Sequence, residues 1–212
     1  ASAGSVDNAI EYAIRADHRA ADALAHEEAA SLFGMALMSL EFKPTTSDAD
    51  RLQVKLHTRR ARSFDALGEW TLEARELDAA LRHLDPLQIE RRCEIVLQLA
   101  SASFLQLDLR PVEQYAAEAR QLAERLNRPD LEANAIAWLA RCQQAHGDLE
   151  AAITMDRRAM ARAPGVITAA HMMGPLTLYL AGRSSEGLAL ACETADAARS
   201  SRDSMFIMYS LS

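Results

Sequence analysis

Aromatic residues make up only 5% of this chain, and runs of Val, Ile and Thr are nearly absent. Strands draw on those residue types, so no β-structure is expected. Cysteine is scarce as well. Cys93, Cys142 and Cys192 are odd in number, far apart and form no C-x-x-C. That excludes a disulfide framework or a zinc cradle, fits a reducing cytoplasm, and leaves all three as small buried hydrophobes. Basic residues are outnumbered, 23 against 30, for a formal net charge of −7. A nucleic-acid binder presents a basic face to phosphates, so no direct nucleic-acid partner is expected. Long apolar runs are missing too. The most apolar stretch, Val166–Leu180, is interrupted by His171 and Gly174-Pro175. It falls short of the roughly 20 apolar residues of a membrane span and reads as a buried helix.

Catalytic signatures are also lacking. The chain has no G-x-x-x-x-G-K-[ST], no G-x-G-x-x-G and no G-x-S-x-G, so no phosphate-cradling loop or nucleophile elbow is encoded. Its six histidines, His18, His26, His57, His83, His146 and His171, form no H-E-x-x-H pair and read as surface or turn residues. The carboxylates are scattered along helices with arginines nearby, as on solvated faces. No catalytic, cofactor-binding or metal-ligating residue is assigned, no cofactor is expected, and the chain is not expected to be an enzyme.

What the chain does have is helix formers. Half of its 212 residues are hydrophobic, and Ala, Leu, Glu, Arg and Gln dominate. The clearest pattern is Leu139–Pro164. Ala140 is small where two antiparallel helices must approach. Gly147 can take the left-handed conformation that closes a helix, and Asp148 can cap the next one. Ala152 and Ala159 lie seven apart on one face, and Pro164 ends the helix. A second copy runs through Ala61, Phe64, Leu67, Gly68, Trp70, Leu77 and Ala80, with Glu73 where the pattern wants Ala. Weaker copies include Ala29, Phe33 and Ala36; Leu99-Ala100 with Val112, Ala116 and Ala119; and Gly182 with Gly187, Ala191 and Thr194. Equivalent second-helix positions are then 29, 73, 112, 152 and 187, at intervals of 44, 39, 40 and 35.

Small residues, glycines and aromatics at these offsets resemble the tetratricopeptide repeat (TPR), whose period is about 34 residues. The longer intervals and the texture of Ala25–Phe33 and Leu67–Trp70 resemble the TPR regions of large bacterial signalling proteins. Those include LuxR-type regulators with ATPase modules and class III adenylate cyclases with ATPase and TPR segments. The resemblance implies an all-α fold, a right-handed superhelix of about five antiparallel helix pairs with a truncated sixth. Residues 1–212 are expected to form a single TPR-like domain, a fragment of a larger protein. Predicted helices cover Val6–Ala21, His26–Leu40, Asp50–Leu67, Thr71–Leu84, Leu87–Leu107, Pro111–Leu126, Leu131–Ala145, Leu149–Arg162, Val166–Leu180 and Ser185–Ser200. A kink or fresh start is expected at Gly174-Pro175. Ser47 or Asp48 is expected to cap the second pair. Met205–Met208 would leave an apolar end through which the chain could form a homodimer.

In such arrays the first helix of each pair lines an inner groove. The register places Lys55, Arg62, Asn134, Arg141 and Gln144 there, with Met172 and Tyr179 seven apart on one later face. Other methionines, Met35, Met38, Met155, Met160 and Met173, read as core filler. The resemblance implies a cytoplasmic, non-enzymatic module for signalling or transcription regulation. It would bind a protein or peptide segment, or couple other domains of the parent chain. A small-molecule effector-binding domain of such a regulator is the alternative.

Overall fold

The helices begin and end where the sequence places small, capping and breaking residues. The computed structural model describes residues 23–40 and 46–201. Nine helices lie among them: α1 Ala23–Leu40, α2 Ser47–Ala66, α3 Trp70–His83, α4 Ile89–Leu105, α5 Leu109–Leu126, α6 Pro129–Ala145, α7 Leu149–Arg162, α8 Ala169–Leu180 and α9 Ser184–Ser201. No strand occurs among the described residues. The predicted Val6–Ala21 helix and the Met205–Met208 contact lie outside them. The described residues group into two compact units, divided between Leu107 and Asp108.

The helical pairs close through left-handed turns. Gly68, Gly147 and Gly182 have φ of +73°, +86° and +76°. A Cβ at such a φ crowds the backbone, so glycine is the residue of choice. The α4–α5 turn puts Leu107 in the equivalent place, at φ +62°. Helix starts are also specified locally. The Thr46 hydroxyl accepts the Ala49 N–H at 3.1 Å and caps α2, so the cap falls one residue before the expected Ser47. Asp148 caps α7 through the Ala151 N–H at 3.0 Å.

In the first unit α1 packs on α2, α2 on α3, and α3 on α4. Ala29, Phe33, Ala36, Leu37 and Leu40 of α1 close over Leu56 of α2. Met35 and Met38 are exposed rather than core filler, because the buried stripe of α1 is already filled by those residues. In the second unit α5 packs on α6, and α6 on both α7 and α8. Its core is built largely from alanines, with Ile136 among them and Trp138, Met155 and Met160 packed against it. Small residues allow close helix approach, which is why Ala140, Ala152 and Ala159 are fully buried. Cys93 and Cys142 are buried, and burial pushes the Cys142 thiol up to about 11. Cys192 departs from expectation and is exposed on α9.

Pro175 does not break α8, which runs without a fresh start from Ala169 to Leu180. A proline cannot donate to the carbonyl four residues back. That carbonyl, on His171, lies 3.3 Å from the Thr194 hydroxyl of α9, which makes its shorter bond, at 2.8 Å, to the Leu190 carbonyl. Gly187 lets α9 come in close: a Cβ there would sit 2.8 Å from the Pro175 carbonyl oxygen. At the start of α8 the Thr168 backbone N–H donates to His171 Nδ1 at 3.2 Å. Burial lowers the His171 pKa, which favours the neutral ring that such acceptance needs.

Candidate ligand-binding site

In the first unit the start of α2, the end of α3 and the start of α4 border an open cavity of about 550 Å³. Residues one turn apart on a helix share a face, so α2 presents Asp50, Arg51, Val54 and Lys55 to it together. The last turn of α3 adds Arg82 and His83, and α4 adds Arg91. Basic residues at the end of α3 complement the partial negative charge of its free carbonyls. Asp85 shapes the next turn, accepting the Leu87 N–H at 2.9 Å.

The ionisable groups around the cavity divide into engaged and free. His83 Nδ1 lies 3.1 Å from Asp50 Oδ1. The His83 ring stacks on His57, with centroids 6.0 Å apart and planes at 6°. His57 Nδ1 in turn lies 2.7 Å from Glu76 Oε2, and Arg60 donates to the other Glu76 oxygen at 2.9 Å. These two histidines are therefore half-buried and hydrogen-bonded to carboxylates, not the surface or turn residues that spacing suggests. Arg91 is held by two bonds, to Glu94 at 2.8 Å and to the Thr58 hydroxyl at 3.0 Å. Among the described residues Arg51 makes only a long, exposed contact of 3.6 Å with Asp48. The Lys55 and Arg82 side chains make no hydrogen bond or ion pair among the described residues.

Of the groove residues predicted from register, Lys55 lines this cavity. Arg62, two turns along α2, is exposed and outside it. The other five belong to the second unit. Asn134 is half-buried and donates to the Asp130 carbonyl at 3.2 Å. Arg141 is fully buried. Its guanidinium pairs with Asp156 of α7 and donates to the Thr177 hydroxyl of α8 at 3.0 Å and to Gln144 at 2.8 Å. Thr177 also donates to Gln144 Oε1 at 3.0 Å. Arg141 and Gln144 thus meet inside the packing of three helices, where the guanidinium is committed to protein partners. Met172 and Tyr179 share the exposed side of α8, at 40% and 64% exposure, with Leu176 between them.

A smaller cavity of about 240 Å³ lies among α7, α8 and α9, walled by Ile153, Met160, Leu178 and Leu190 beside Asp156. Burial raises the Asp156 pKa to about 6 against the pull of Arg141. Asp156 Oδ1 has no hydrogen-bond partner among the described residues.

The first cavity gathers Arg51, Arg82 and Arg91 around Lys55, and none of these three follows from groove register. Arg82 lies on the second helix of its pair, which such a register leaves out. The available signal was charge placement: Arg82-His83 ends one helix and Arg91-Arg92 begins the next. Cations converging on one cavity can neutralise and orient an anionic group.

No protein-family model matches this sequence, and no curated protein matches it. Solved structures do. BtubC (BKLC) from P. vanneervenii is similar at 18% identity and a TM-score of 0.64, over 94% of this chain and 91% of that one. The Rap conjugation gene regulator of the plasmid pLS20, solved in complex with the Phr* peptide, is similar at 13% identity and a TM-score of 0.69. That match covers 87% of this chain and 52% of the regulator, so the chain spans about half the regulator's length. YrrB, a TPR protein with an unusual peptide-binding site, is similar at 15% identity and a TM-score of 0.49, over 89% of this chain and 91% of YrrB. At these identities the likeness establishes the fold alone: the chain is an all-α helical repeat.

Proposed function

We propose that the chain is a peptide- or protein-binding helical-repeat module that serves a larger bacterial signalling or transcription regulator, and that it recognises its ligand without transforming it. The observation that carries this reading is the cavity of about 550 Å³ in the first unit, with Lys55 and Arg82 unpaired among the described residues on its wall. Exposed cations are normally solvated or paired on a surface. Two brought to one concavity without partners suit a ligand that supplies the missing charge. A regulator of similar fold solved with a bound peptide supports a peptide as the ligand class.

A displayed library of random peptides, selected on the immobilised chain, tests the reading. Selected peptides, synthesised with a photo-crosslinker, should bind saturably and attach to α2, the end of α3 or the start of α4. Absence of any saturable binder, or attachment only elsewhere on the chain, overturns it.

A further inference from the structure

We propose that the first-unit cavity recognises a peptide side-chain dianion: two neighbouring Asp or Glu carboxylates, or one phosphorylated side chain. This rests on the peptide-binding reading and adds the chemistry of the ligand.

The argument is one of charge balance. Four cations face the cavity, Arg51, Lys55, Arg82 and Arg91, with two carboxylates, Asp50 and Asp85. Arg91 is paired with Glu94 at 2.8 Å and Arg51 lies 3.6 Å from Asp48, which leaves the Lys55 and Arg82 side chains as the two cations without a counter-charge among the described residues. Both carboxylates are engaged, Asp50 by His83 and Asp85 by the Leu87 N–H, so neither neutralises Lys55 or Arg82. Arg91 is oriented by Glu94 and Thr58 and enters the wall with its direction set. A guanidinium fixed in this way loses little freedom when it meets an anion. Gln88, at the head of α4, also lines the cavity and caps no backbone N–H with its side chain. The positive end of that helix faces the cavity, as does the negative end of α3, which Arg82 and His83 offset.

The cavity's size and the chain's overall charge select the kind of anion. A duplex nucleic acid needs a basic face that tracks many phosphates, whereas this cluster occupies one cavity on a chain of formal net charge −7. One or two anionic groups on a peptide satisfy the excess without confronting the rest of the acidic surface.

The test uses the full chain and the peptides selected on it. Wild-type binders should carry adjacent acidic residues, and replacing those by Asn or Gln should weaken binding by roughly tenfold or more, the scale of a lost charge-assisted bond. The Lys55→Ala, Arg82→Ala double variant should weaken binding to a similar degree. Its circular dichroism and melting temperature should match wild type, since neither side chain has an internal partner among the described residues. Replacing the acidic pair by phosphoserine distinguishes the two sources: tighter binding assigns a phosphate, weaker binding a carboxylate pair. Amidating the peptide C-terminus should change nothing. If binders are neutral or basic, if binding is lost on amidation alone, or if the double variant binds as well as wild type, the dianion inference falls while peptide binding stands. If no peptide is selected, both fall.

Discussion

At the scale of single residues, two positions break the repeat's own rules, and each break has a measurable consequence. Glu73 occupies the second-helix position that holds Ala152 and Gly187 in other copies. It is only 6% exposed, and its Oε2 has no hydrogen-bond partner among the described residues. Burial first, and then the nearby Asp65, push its pKa to about 8, against 4.5 for an ordinary Glu. The folded chain therefore keeps a proton that the unfolded chain gives up. The stabilising proton is fully held below about pH 4.5, and stability declines as pH rises from there towards about 8. The slope from one proton is at most about 1.4 kcal/mol per pH unit. Urea midpoints between pH 5 and 8 should fall more steeply for wild type than for Glu73→Gln. Parallel curves would mean that the carboxyl is ionised in the fold. Leu107 is the other exception, at φ +62° with its side chain 84% exposed. A non-glycine residue in this region costs about 1–2 kcal/mol, and glycine returns part of the gain through its freer unfolded state. Leu107→Gly should raise stability by about 1 kcal/mol, seen as a higher urea midpoint with an unchanged denaturant slope.

At the scale of elements, the packing of α8 depends on substitutions that look unrelated in the sequence. Pro175 removes a helix bond, the carbonyl left over lies 3.3 Å from a Thr194 hydroxyl shared with the Leu190 carbonyl, and Gly187 admits α9 that close. Gly187→Ala would drive a Cβ to 2.8 Å from the Pro175 carbonyl and should cost about 1–3 kcal/mol by overpacking. A melting temperature equal to wild type would show that the helices can separate without loss. On the opposite flank, Arg141 ties α6 to α7 and α8 through Asp156 and Thr177. Arg141→Ala would strand a buried carboxylate and should cost about 3–5 kcal/mol, whereas Arg141→Met with Asp156→Leu should recover most of that loss. A double variant as unstable as the single one would refute the stranded-charge account. The same elements show what a sequence can reveal. Helix limits, the Gly68, Gly147 and Gly182 turns and the Asp148 cap are legible because each is settled by neighbours within a few residues. The fate of Arg141 is not, because its burial depends on Asp156 and Thr177, which lie 15 and 36 residues away. The surroundings of Pro175 are likewise set by another helix, where Gly187 and Thr194 of α9 lie against it.

At the scale of the whole molecule, the proposed cavity is a local positive field on an acidic chain, formal net charge −7 at pH 7. Arg82 and Arg91 reach it from different helices, so the cluster is invisible until those helices are placed, although Lys55 is legible from register. The two fields act over different distances. An acidic peptide far from the chain meets net repulsion; once inside the cavity it meets Lys55, Arg82 and Arg91. Salt screens the distant term first, because the Debye length shrinks from about 30 Å at 0.01 M to about 8 Å at 0.15 M. Charge-steered association between opposite charges slows as salt is added. Here the long-range sign is reversed, so the association rate of an acidic peptide should rise, by about twofold or more, across that range. Its dissociation rate should rise as well, because the short-range attraction is also weakened. Stopped-flow traces at several salt concentrations separate the two. An association rate that falls with salt would mean that the cavity's field dominates even at long range, and that the acidic surface does not govern the approach.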